Sequence, residues 1–295
     1  MKFINPIAVT DAVLTSASIP ETDYTAWSAA TAYSVGQRVI RTNVHAIYER
    51  LVAGTTATAP ESDTVNWVRV GPTNRWAPFD LATGTAATAT GTISYTLTPG
   101  TIVDSIGLLD LAGDTVTVTV TSGGTTVYNN SASLVTGTNV TDFDQYFYGQ
   151  WLAKTVVVFR DLPPYTDAVI TGTVTSGSSA AIGTCILGTL VDVGSTLYGA
   201  SVGIIDYSTK TTDTYGVTTI TKRSYARRMS IPVQVENWAI DDMVTLLASV
   251  RATPVLWIGT DTYTSSVVFG IPRDWQIEIT YPTVSHCTLT IDGLA

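Results

Sequence analysis

The chain of 295 residues carries 15 Lys and Arg against 24 Asp and Glu, a formal net charge of −9, with only 13% of residues charged. That balance excludes the basic footprint of a nucleic-acid-binding protein, while a hydrophobic content of 45% supplies material for a large core. No apolar run approaches the ~18 residues of a membrane span. The start is not patterned as a secretory signal either, because Asn5, Pro6 and Asp11 interrupt its apolar residues.

Residues 1–24 read as an extended arm. Pro6 and Pro20 bar a continuous helix, and the hydrophobic positions keep no period. Such a segment is expected to order against a neighbouring subunit. Residues 25–75 are dense in aromatics and form a compact module that closes at the turn signal "GPTN".

Between residues 76 and 195 the pattern is all-β. "TVTVTVT" at 115–121 alternates as a half-buried strand should, and "GGTTVYNN" follows as turn, strand and turn. "KTVVVFRDL" and "DAVITGTVTSG" are further strands divided by "LPPYT", and "AIGTCILGTLV" has the near-continuous apolarity of a strand buried on both faces. Short strands at this spacing indicate a β-sandwich or jelly roll.

Residues 196–295 combine strands with one amphipathic helix, expected from Asn237 to Ala252. Asn237 can cap it, Asp241 and Asp242 suit its first turns, Arg251 suits its end, and Pro254 stops it. Ile240, Met243, Val244, Leu247 and Val250 share one face. The expected class is therefore mainly β: an aromatic module, a sandwich, and a C-terminal α+β unit.

Reactive chemistry is sparse. His45 and His286 fall in different segments, and with Cys185 and Cys287 they make too few soft ligands for zinc or iron. Both cysteines sit in apolar strand-like stretches and read as buried free thiols, with a disulfide as the alternative. "GASVG" matches a nucleophile elbow around Ser201, but the β-branched, turn-rich sequence after it cannot supply the required helix. Asp142 and Asp144 in "TDFDQYFYGQW" would share one face of a strand instead of flanking a sugar, and read as an exposed loop with aromatics packed beneath. No catalytic residue, metal or cofactor is assigned.

One basic cluster stands out: Lys222, Arg223, Arg227 and Arg228 in "KRSYARR". Residues 81–200 carry only Lys154 and Arg160 against eight aspartates. The cluster is expected to form a subunit interface with acidic neighbours.

Trp27, Tyr33, Gly36, Val39, Tyr48, Pro60 and Trp67 together resemble the small chitin- and cellulose-binding module of carbohydrate-binding families five and twelve. The resemblance implies three short strands around an aromatic core, and names Trp27, Tyr33, Tyr48 and Trp67 as candidate carbohydrate-binding residues. Where that module commonly carries a tandem tryptophan after the position of Tyr48, this chain has Glu49, Arg50 and Leu51. The scaffold is retained and the sugar platform is not.

The segments "GPTNRWAPFD", "VDSIGLLDL", "DLPPYTDAVITGTV", "LYGASVGIIDYSTKTTDTYGV" and "VVFGIPRDWQIEITYPTVSHCTLTIDGL" resemble a tail protein of long-tailed bacteriophages. That likeness implies a galactose-binding-like jelly roll followed by a tail-tube or distal-tail-like domain. It also implies a non-enzymatic virion protein at the tail tip or baseplate, assembled in the host cytoplasm. Its expected partners are further copies of itself in a ring and other tail proteins. The alternative is a receptor- or carbohydrate-binding virion protein with a host surface glycan as its partner.

Overall fold

The computed structural model describes residues 1–136, 142–148, 152–260 and 263–294. Antiparallel strands dominate, so the fold is mainly β as the alternation requires. Thr115–Ser122 buries Val116, Val118 and Val120 and turns the intervening threonines to the wetter face. It pairs with Thr125–Ser133 and Val169–Ile182 inside a five-stranded sheet completed by Ala87–Leu97 and Leu14–Ala17.

Opposite lies a ten-stranded sheet. Its order runs Val156–Phe159, Ser105–Leu109, Thr184–Asp192, Lys2–Pro6, Val255–Ile258, Val267–Glu278, Val284–Gly293, Tyr225–Glu236 and Ser195–Thr196, with Ser201–Asp206 also pairing Tyr225–Glu236. Three apolar clusters hold these layers. Ile93, Val118, Ile170 and Leu187 belong to the sandwich core between the two sheets. The helix Ile240–Ser249 presses Met243 and Leu247 onto Met229, Ile231 and Leu289 at the other end of the long sheet. Ile4, Leu109, Ile186 and Leu256 form a third cluster. Each fully buried side chain of this size contributes roughly 1.5–3 kcal/mol.

The expected N-terminal arm is overturned. Lys2–Pro6 is an interior strand, with Lys2 opposite both Asp192 and Ile258. Phe3 and Ile4 are 0% exposed and point into different clusters. Gly188 permits this fit, because a Cβ there would collide with the Asn5 carbonyl oxygen. Leu14–Ala17 is likewise an edge strand of the sandwich. The boundary expected at residue 195 therefore falls inside one continuous sheet. A five-residue strand flanked by two distant partners leaves no periodic trace of its own, which explains the misreading.

Further differences are local. The helix is preceded by a 3-10 turn, Asn237–Ala239, and Asn237 does not cap it. Its amide donates to the Tyr281 carbonyl at 2.8 Å and accepts from the Ser285 hydroxyl at 2.5 Å, tying the turn to the sheet. Val244 is exposed, and Leu246 packs on the core instead. The expected loop around Asp142 and Asp144 contains a short helix, Phe143–Tyr148, whose Phe143, Phe147 and Tyr148 are exposed and not packed beneath it; Thr141 and residues 149–151 of that motif lie outside the described residues. Ser201 opens the strand Ser201–Asp206, and the next element is another strand, Thr209–Thr212.

Candidate functional site

The aromatic module is built on a three-stranded sheet of Arg38–Arg41, Ala46–Arg50 and Trp67–Pro72. Alternation in Ala46–Arg50 sends Ala46, Tyr48 and Arg50 inward. Trp67 is 2% exposed and meets Tyr33 edge-on, with centroids 5.1 Å apart. The Tyr33 hydroxyl accepts from the Ser28 N–H at 2.7 Å. Tyr48 is buried as well, and desolvation raises its pKa above the usual tyrosine value. Three of the four candidate sugar-binding rings are thus spent on the module's own core.

Trp27 is half-buried against that core. The Arg41 guanidinium lies 4.9 Å from its ring centroid. Two hydrogen bonds to Glu61, of 3.0 and 2.7 Å, fasten that arginine. The same bonds, foremost among the causes, hold the Glu61 carboxyl below the ordinary carboxylate range. A pyranose stacking on that ring face would have to displace a cation already seated there.

Arg50, in the stretch where the module family carries its rings, is 1% exposed. It caps Trp67 at 4.9 Å and donates to Thr56 Oγ1 and the Gly54 carbonyl, both at 3.2 Å. Sequence reasoning recognised its position and missed its role. The alternation of the strand was the signal that could have found it.

The module is joined to the sandwich by His45. Its ring stacks on Trp76 at 3.9 Å, and Trp76 belongs to the sandwich core. Asp11 faces Nε2 at 3.1 Å and Glu21 faces Nδ1 at 3.2 Å, while the Thr73 hydroxyl donates to the same Glu21 at 2.8 Å.

The basic cluster is divided by the structure. Lys222 and Arg223 are exposed just before Tyr225–Glu236, and Arg227 and Arg228 lie within that strand. Strand register sets Arg228 directly opposite Asp292, to which it donates at 2.7 and 3.2 Å. The pair holds the Asp292 carboxyl below its ordinary range, with Arg228 the leading cause. Arg228 therefore has a partner within its own chain, while its side chain stays 39% exposed.

Preceding the cluster, Thr209–Thr212 and Thr218–Thr221 form a separate two-stranded hairpin. Asp213 shapes its turn by accepting from the N–H groups of Tyr215 and Val217, and Gly216 takes φ +82°. Tyr215, Val217 and Ile220 are exposed along this ribbon, and Tyr198 and Ile204 are exposed before it.

Cys185 and Cys287 are free and buried, and burial pushes their thiols up to about 12 and about 11 respectively. Among the described residues no three His, Cys, Asp or Glu side chains converge on a metal position, and no helix is long and apolar enough to cross a membrane.

Fold and surfaces together define a mainly-β protein with an internally filled aromatic module and an uncovered ribbon. No protein-family model and no curated protein matches the chain.

Proposed function

We propose that the chain is a non-enzymatic structural subunit of a bacteriophage tail, located at the tail tip or baseplate. It assembles into a ring and links the tail tube to adsorption components. The observation that carries this reading is the hairpin ribbon of residues 209–221. A two-stranded hairpin without a third strand or a covering layer is marginally stable in water, and this one also exposes Tyr215, Val217 and Ile220. A neighbouring subunit supplies the missing cover. Lys210 on the ribbon and Lys222 and Arg223 just after it, interspersed with Asp206 and Asp213, offer cations to the aspartate-rich sandwich of a second copy. Head-to-tail contacts of this kind give a ring when the rotation between neighbours closes.

Electron micrographs and light scattering of the purified protein test the reading, comparing it with a variant whose residues 209–221 are replaced by a short Gly-Ser turn. The expected result is symmetric rings for the native chain and folded monomers for the variant. A native chain that remains monomeric and is absent from purified particles would remove the proposal.

One observation favours the alternative, a receptor- or carbohydrate-binding virion protein. Phe143 and Phe147 sit 4.6 Å apart on an exposed helix beside the exposed Tyr148, which offers flat rings to a ligand. Glycan-array binding that disappears in Phe143→Ala with Tyr148→Ala would shift the assignment to that reading.

A further inference from the structure

A cavity of about 280 Å³ opens where the end of Ser105–Leu109, the start of Val267–Glu278 and the strand Tyr225–Glu236 come together. Its apolar wall includes Leu109, Val156, Phe269 and Leu294. Two residues of opposite charge line the same space, the exposed Asp110 and the half-buried Arg227. Among the described residues neither has an ion-pair partner, and they are not paired with each other. The neighbouring Arg228, by contrast, is paired with Asp292.

Asp110 is held in place by its backbone. It adopts φ +51°, a left-handed conformation that Asp and Asn tolerate better than other side-chain-bearing residues. The Gly183 N–H donates to the carbonyls of Leu109 at 3.0 Å and Asp110 at 3.2 Å, locking the corner. A Cβ at Gly183 would lie 2.5 Å from the Asp110 Cβ, so only glycine allows the two chains this close. The adjoining Leu81 is also left-handed, at φ +55°, and packs on the apolar cluster that lines the cavity. Strain of this kind collects where a side chain must be presented to a ligand.

We propose that this cavity binds a small zwitterion, a free α-amino acid with an apolar side chain. Its carboxylate pairs with the Arg227 guanidinium, whose fork geometry suits two parallel hydrogen bonds. Its ammonium donates to Asp110, and its side chain covers Leu109 and Phe269. A ligand with only one charge pairs with one of the two protein charges and leaves the other, the exposed Asp110 carboxylate or the half-buried Arg227 guanidinium, to water. A neutral sugar compensates neither. The volume stands just below the ~300–1,000 Å³ usual for small-molecule pockets, which suits an amino acid and excludes a long peptide. The proposal is independent of the tail assignment and of ring assembly.

Calorimetry and thermal-shift measurements on the full chain test it with four probes: L-leucine, 4-methylpentanoate, isoamylamine and D-galactose. The expected order is leucine at least about tenfold tighter than either half-ligand, with no galactose binding. Asp110→Asn keeps the left-handed backbone and removes the charge. It should weaken leucine by about tenfold or more while leaving 4-methylpentanoate within about twofold. Arg227→Gln should weaken leucine and 4-methylpentanoate alike. Absence of any leucine-dependent shift at millimolar concentrations overturns the proposal. So does binding of galactose in preference to leucine, or an Asp110→Asn protein that treats leucine and 4-methylpentanoate as the native chain does.

Discussion

Replacing Phe3 with alanine is the most direct test of how this fold is held together. Phe3 is 0% exposed, its ring centroid is 4.9 Å from that of Trp257, and Val193 and Val255 belong to the same cluster. The strand that carries it is hydrogen-bonded on both sides, so the hole cannot close by a local shift. Phe→Ala changes at such sites cost about 3–5 kcal/mol. For a chain of this size that corresponds to a fall in Tm of roughly 6–20 °C, at about 2–4 °C per kcal/mol. Urea unfolding followed by tryptophan fluorescence reads the change, with Trp257 as a reporter beside the cavity. Asn5→Ala is the control, since Asn5 is exposed on the same strand and should stay within about 0.5 kcal/mol of the native protein. A Phe3→Ala protein that loses less than about 1 kcal/mol would refute the interior placement and restore a free arm.

Trp67→Ala should destabilise by about 3–5 kcal/mol, and Trp27→Ala by clearly less because Trp27 is only half-buried; both are read from denaturant midpoints. The native chain should pass through a chitin column without retention, since Arg41 occupies the Trp27 ring face. Neither Cys185 nor Cys287 should react with a thiol reagent at pH 8 until the protein unfolds, because burial keeps both protonated. Asp292 and Glu61 have folded-state pKa values below the ordinary carboxylate range, so their stabilisation is present above about pH 4 and is lost as pH falls through the lower folded values. Asp292→Asn should therefore flatten the acid side of a stability–pH curve, measured as the denaturant midpoint from pH 7 to pH 2.

The legible parts of this fold were those written in local alternation. Val116, Val118 and Val120 declare their strand, and Cys185–Leu187 declare burial on both faces. Met243, Leu247 and Val250 declare the buried side of the helix. What stayed hidden depends on partners far away in sequence. Arg228 and Asp292 are 64 residues apart, and nothing near either predicts that register will set them opposite one another. Trp27 is covered by an arginine whose position is fixed only through Glu61, 20 residues further along. Asp110 and Arg227 line one cavity although they are far apart in sequence, because the strands Ser105–Leu109 and Tyr225–Glu236 belong to one sheet.

The first strand also bears on how the ribbon is presented. Lys2–Pro6 pairs with Thr184–Asp192 on the sandwich side and Val255–Ile258 on the helix side, so the two halves share one sheet. Tyr225–Glu236, which follows the ribbon, is anchored in that sheet by Val284–Gly293 and buries Met229, Ile231 and Val233. The ribbon thus rises from a rigid base while its own tip lacks a core. Local stability must fall along it, since buried apolar contacts end at the base and exposed backbone hydrogen bonds continue. An element fixed at one end and uncovered at the other can be completed by a neighbouring surface without disturbing the sheet beneath it. Its contacts and the stability of the core are therefore separable by mutation, which is the property a repeating assembly requires of its subunit.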